Sequence, residues 1–196
     1  MSDNPRVLVF AGSTRSGSLN RKLARAAASA LERQGLEVTL ADLRDYPMPI
    51  YDGDLEASAG MPEPARAFKN LMRANHAIAI ASPEYNGSFA ALLKNAIDWA
   101  TRPEPGEPRL AAFQAKKAAI LSASPGPNGG QRGLRHLREL LQMLHVEVLP
   151  TQLTLGRAAE AFDAEGRLVR AEDRAALDRL AEELAGALKA GTLAAA

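Results

Sequence analysis

Nine consecutive residues, Gly12-Ser13-Thr14-Arg15-Ser16-Gly17-Ser18-Leu19-Asn20, gather four hydroxyls, one guanidinium and one side-chain amide. They follow an apolar run and open a helical pattern. A helix N-terminus presents unpaired N–H groups and a partial positive charge to an anion, and two glycines let the backbone bend close to a ligand. A nucleoside-triphosphate loop requires Gly-Lys-Ser/Thr at the helix start. Here Gly17 is followed by Ser18 and Leu19, so γ-phosphate transfer is not expected. The dinucleotide fingerprint Gly-x-Gly-x-x-Gly is broken too, because Ser13 and Thr14 follow Gly12. What remains is a cradle suited to the terminal phosphate monoester of a mononucleotide. The same residues also read as a turn that caps a helix with Ser18 and leaves Arg15 in solvent. The loop alone leaves both readings open.

Two further loops carry polar groups to strand ends. Ser82-Pro83-Glu84-Tyr85-Asn86-Gly87-Ser88 combines a stiff Pro83, a row of amides from Glu84 to Gly87, the aromatic face of Tyr85 and an Asn86 side chain that can donate and accept. A flat heterocycle edged with donors and acceptors suits such a row; a tight turn leading to a helix N-cap at Ser88 is the alternative. Ser122-Ala123-Ser124-Pro125-Gly126-Pro127-Asn128-Gly129-Gly130 is a weaker signal taken singly. Its weight comes from the convergence of three loops on one sheet edge.

The elements that must position these loops follow from periodicity. Arg6–Ala11 and Ala77–Ala81 are short, nearly continuous apolar runs, as expected of strands covered on both faces. Leu36–Leu40, Ala118–Leu121 and Val146–Leu149 complete five expected strands. Helices are expected near Leu19–Gln34, Glu63–Arg73, Ser88–Ala100, Gln131–Leu144 and Ala171–Lys189, with an alanine-rich end that frays. Asp42–Pro64, interrupted by Pro47, Pro49, Pro62, Gly53 and Gly60, is expected to hold no regular element. Strands alternating with helices predict an α/β fold with a doubly wound, five-stranded parallel sheet and helices on both faces. One domain over residues 1–196 is the expectation for this length.

Composition narrows the chemistry. Lys and Arg number 24 and Asp and Glu 23, for a net charge of +1, which gives no reason to expect a nucleic-acid or membrane partner. The absence of cysteine removes disulfides and thiolate chemistry, so any redox work must fall to a bound cofactor. Met1–Pro5 is short and polar, unlike a secretory signal, and the apolar runs are too short to span a bilayer. A soluble, cytoplasmic protein is the expectation.

Gly12–Asn20, Ser82–Gly87 and Lys94-Asn-Ala-Ile-Asp-Trp99, in that order, together resemble the NADPH-dependent FMN reductase family, which includes bacterial quinone and chromate reductases. The resemblance runs from about Val7 to Pro150. It implies a flavodoxin-like fold and one flavin mononucleotide (FMN) per subunit. It also implies NADPH or NADH as co-substrate, a small-molecule electron acceptor and a homodimer or homotetramer. It matches Ser13, Thr14, Arg15, Ser16, Gly17, Ser18, Leu19 and Asn20 to the phosphate loop, with Arg15, Ser18 and Asn20 as side-chain contacts. Pro83, Glu84, Tyr85, Asn86 and Gly87 match the segment along the isoalloxazine, and Ser124 lies near the same ring. The helix carrying Asp98 and Trp99 and the Tyr46–Asp54 segment are implied to lie near a subunit contact. No catalytic side chain is implied, since the flavin carries the chemistry.

An FMN-binding electron carrier without its own nicotinamide oxidation is the rival reading. Such carriers are typically strongly acidic, whereas this chain has a pI of about 8.1. A structural or regulatory α/β protein with an empty anion site is a second. His76, His136 and His145 share no metal-ligand spacing, and Lys116-Lys117 reads as a solvated pair before a strand.

Overall fold

The structure is a computed structural model that describes the backbone of residues 4–194 and side chains through residue 190. The first residues of the Met1–Pro5 segment and the last of the alanine-rich end lie outside the described residues. Five parallel strands form the sheet in the order β2-β1-β3-β6-β7: β1 (Arg6–Ala11), β2 (Glu37–Ala41), β3 (Ala77–Ala81), β6 (Lys117–Ala123) and β7 (Glu147–Val148). A sixth strand, β8 (Leu153–Leu155), also pairs with β6, matching Leu121 to Leu153 and Ala123 to Leu155. β7 takes the beginning of β6 and β8 its end. The expected fifth strand is therefore an edge strand broken after Leu149, where Pro150 has no N–H for a ladder.

Alternation along β1 sends Val7, Val9 and Ala11 to one apolar core and Leu8 and Phe10 to the other. The first core is closed by α1 (Leu19–Arg33) and α6 (Ala171–Ala194), the second by α3 (Glu63–Ala74), α4 (Ala91–Thr101) and α5 (Gln131–Met143). Helices thus cover both faces, and all three polar loops leave the carboxyl ends of β1, β3 and β6, where open α/β sheets bind ligands.

Three sequence expectations are corrected. The proline-rich segment holds a regular element, α2 (Gly53–Ala59). Its prolines flank the helix, Asp52 Oδ1 accepts from the amides of Asp54 and Leu55, and Gly60 (φ 75°) ends it. The helix expected from Ser88 starts at Ala91, because Glu84–Tyr85 (β4) and Ser88–Phe89 (β5) form a hairpin first. Asn86 and Gly87 turn it with φ of 52° and 80°, the left-handed pair that a two-residue type I′ turn needs. Finally, Lys116 is not solvated: it is 5% exposed, and its Nζ donates to the Asn75 carbonyl at the base of the sheet.

Candidate functional site

The first loop is built as a helix start with donors to spare. Ser13 and Ser18 are buried, whereas Thr14, Arg15, Ser16 and Gly17 stand exposed between them. Ser18 is the N-cap of α1, its Oγ accepting from the Arg21 amide at 3.3 Å, so the capping reading is correct as far as it goes. It does not exhaust the loop. No group among the described residues pairs with the Arg15 guanidinium or accepts from the amides of Ser16, Gly17 and Leu19. By contrast Arg21, one turn into α1, is held by Asp42 at 2.5 Å. Arg44 bonds the same carboxylate, and that bond, opposed by burial, holds Asp42 below the usual carboxylate range. Gly12 lets the loop pack on α4: a Cβ there would meet Leu93 Cβ at 3.1 Å.

Asn20, which the resemblance places among the phosphate contacts, has its side chain engaged within the protein. It is 3% exposed; its Nδ2 donates to the Ala123 carbonyl and its Oδ1 accepts from the Ala123 amide, both at 2.9 Å. The side chain thus ties the start of α1 to the end of β6, and so the first loop to the third.

The hairpin forms the second wall. Pro83 is buried, Glu84 partly buried, and Tyr85, 56% exposed, stands into solvent. Asn86 and Gly87 make the turn, so their first role is to set the hairpin's shape. Glu84 Oε2 accepts from the Gly133 amide on α5 at 2.9 Å. Behind the third loop, the Ser124 amide donates to the Leu155 carbonyl and the Ala158 amide to the Ser124 carbonyl, at 3.0 Å each. A Cβ on Gly156 would stand 2.2 Å from the Pro127 carbonyl oxygen. Residues 153–158, to which sequence reasoning assigned nothing, therefore support this loop.

Arg15, Ser18, Leu19, Asn20, Pro83, Glu84, Tyr85, Ser124 and Pro125 line one cleft that is open to solvent. Three loops remote in sequence meet there as expected. Its donor set consists of a helix start, free amides, hydroxyls and an unpaired cation. Together these fit a phosphate monoester, and Pro83, Glu84 and Tyr85 of the hairpin form the wall beside them. Among these residues Glu84 and Tyr85 are the titratable acids, and no nucleophile stands beside a base, so the arrangement is one that binds and orients.

The motif Lys94–Trp99 serves the neighbouring segment. Asn95 Oδ1 accepts from the Tyr51 amide at 2.8 Å, and the Pro49 carbonyl accepts from Asn95 Nδ2 at 2.9 Å and Trp99 Nε1 at 2.8 Å. Trp99 is fully buried against Tyr51, and Asp98 pairs with Lys94 on its own helix. These contacts anchor Tyr46–Asp54, leaving Ile50 77% exposed.

Residues 5–160 match the model of the NADPH-dependent FMN reductase family. The chain is 44% identical over 170 residues to an NAD(P)H-dependent FMN reductase of Pseudomonas aeruginosa, covering 86% of this chain and 87% of that protein. It is 37% identical over 169 residues to a quinone reductase of Pseudomonas putida, with 86% and 87% covered. Among solved structures it resembles FerB, a flavoenzyme NAD(P)H:(acceptor) oxidoreductase from Paracoccus denitrificans, with a TM-score of 0.77 and 28% identity over 93% of this chain and 96% of that one.

Proposed function

The chain belongs to the NADPH-dependent FMN reductase family, and on that premise we propose that it oxidises NADPH or NADH and reduces a small acceptor such as a quinone or flavin through FMN bound in the three-loop cleft. The observation that carries this reading is Arg15, unpaired among the described residues, beside amides likewise without acceptors at the start of α1, on the same cleft as the Tyr85 hairpin. When bound, FMN supplies the hydride and electron chemistry that a cysteine-free chain lacks. The residues of the Ser13–Asn20 loop would hold the phosphate: Arg15 and the helix dipole would neutralise it, and the hydroxyls of Thr14, Ser16 and Ser18 with the amides of Ser16, Gly17 and Leu19 would surround it. Asn20 acts through Ala123 by keeping the first and third loops in register. Pro83 to Gly87 and Ser124 would flank the ring, with the exposed Tyr85 beside it.

With one cleft for the cofactor, reductant and acceptor would reach it in turn, which predicts ping-pong kinetics. Steady-state oxidation of NADPH with a quinone tests this. Parallel double-reciprocal lines support the reading, and failure of FMN-loaded protein to oxidise either NADPH or NADH favours the electron-carrier alternative instead.

The whole chain, 1–196, is read as one flavodoxin-like FMN-binding domain that works in the cytoplasm as a homodimer or homotetramer. Among the described residues no helix is long and apolar enough to cross a membrane. Exposed Ile50 and Met143, the latter beside a groove floored by Ile97, Leu110 and Leu140, support self-association. Light scattering on the purified protein decides the oligomeric state.

A further inference from the structure

Helix α5 begins without a cap of its own. Its N-cap is Gly130, in a left-handed conformation, and its first turn contains no acidic residue. Such a start leaves amides unpaired and the positive end of the helix uncompensated. The missing carboxylate comes from 49 residues upstream, where Glu84 Oε2 accepts from the Gly133 amide at 2.9 Å. The approach is close. A Cβ on Gly133 would stand 3.2 Å from the Ser88 carbonyl oxygen and 3.3 Å from Glu84 Cβ. One helical turn further on, His136 Nδ1 and Ser88 Oγ are 3.2 Å apart. Both strands of the hairpin thus rest on the first turns of α5.

We propose that Glu84 is a positioning residue: by capping α5 it fixes the hairpin wall of the cleft against the third loop, which runs directly into that helix. The proposal rests on the FMN reading above and goes beyond it, because the Glu84 side chain is assigned to the helix rather than to the ring. Its backbone lies between Pro83 and Tyr85, so a shift of the carboxylate moves the ring-side wall, while the phosphate side depends on Arg15 and α1. Loss of the cap therefore affects ring binding and spares phosphate binding.

Three variants test this: Glu84→Gln, which keeps an accepting oxygen; Glu84→Ala, which removes it; and Gly133→Ala, which keeps Glu84 but separates helix and hairpin. The measurements are Gly133 amide exchange in flavin-free protein, riboflavin affinity by fluorescence quenching, and inorganic phosphate affinity by competition with FMN. Glu84→Ala is expected to speed Gly133 exchange and weaken riboflavin about tenfold, with phosphate affinity unchanged. Glu84→Gln should stay within about threefold of wild type for riboflavin, and Gly133→Ala should reproduce the riboflavin loss. Unchanged exchange in Glu84→Ala overturns the proposal, as does unchanged riboflavin affinity or an equal loss of phosphate and riboflavin. If wild-type protein binds no flavin, the FMN reading fails by itself, and the exchange data still show whether the cap forms.

Discussion

Replacing Asn20 with alanine removes both hydrogen bonds that join the first loop to the third. The Ala123 amide and carbonyl that pair with Asn20 at 2.9 Å lie at the end of β6, an inner strand of the sheet. Each buried group left without a partner costs about 1–3 kcal/mol, so Asn20→Ala should destabilise the FMN-free protein by roughly 2–6 kcal/mol. In a chain of this size that lowers Tm by roughly 5–15 °C. Ser18→Ala provides the contrast. It removes one cap bond, to the Arg21 amide at 3.3 Å, and should cost about 1 kcal/mol. Asn20→Asp keeps an acceptor for the Ala123 amide but sets a carboxylate oxygen against the Ala123 carbonyl, so it should recover little. Urea unfolding of flavin-free protein measures these differences without the stabilisation a ligand adds. Flavin retention after desalting should fall in both the Ser18 and the Asn20 variants. If Asn20→Ala is no less stable than Ser18→Ala, Asn20 does not join the loops and its assignment as a positioning residue is wrong.

Three further outcomes follow from buried polar groups and what packs against them. Burial lowers the Lys116 pKa from 10.5 to about 8, so between those values the unfolded chain holds a proton that the folded chain lacks. Stability should therefore rise with pH over that window, by about 3 kcal/mol at most, and the rise should vanish in Lys116→Met when unfolding is followed from pH 7.5 to 10.5. Ser122 Oγ is fully buried with no hydrogen-bond partner among the described residues, so Ser122→Ala should be neutral or stabilising by up to about 1 kcal/mol. Gly130→Ala, whose Cβ would fall 1.9 Å from that hydroxyl at φ 85°, should destabilise by at least about 2 kcal/mol in the same assay.

What could be read from sequence depended on whether the signal was local. Arg6–Ala11 and Ala77–Ala81 were legible because strands buried on both faces need uninterrupted apolar residues. The first loop was legible because hydroxyls, Arg15 and a helix start lie side by side. The β4–β5 hairpin was missed although Asn86-Gly87 is a strong turn signal, since its strands are two residues long and the α4 pattern follows at once. Asp52 was a visible cap hidden among prolines that turned out to lie outside its helix. Other features were out of reach of pattern reading. The bonds between Asn20 and Ala123 span 103 residues and that between Glu84 and Gly133 spans 49. Nothing in a Lys-Lys pair says which amine turns under the sheet.

The site itself is tested most directly by titrating FMN into ¹⁵N-labelled, flavin-free protein and following the amide resonances. Saturable shifts concentrated on Ser13–Asn20, Glu84–Gly87 and Ser124 are expected, with the groove at Ile97, Leu140 and Met143 unaffected. Shifts that cluster in that groove, or none at millimolar FMN, would contradict the assignment of the cleft.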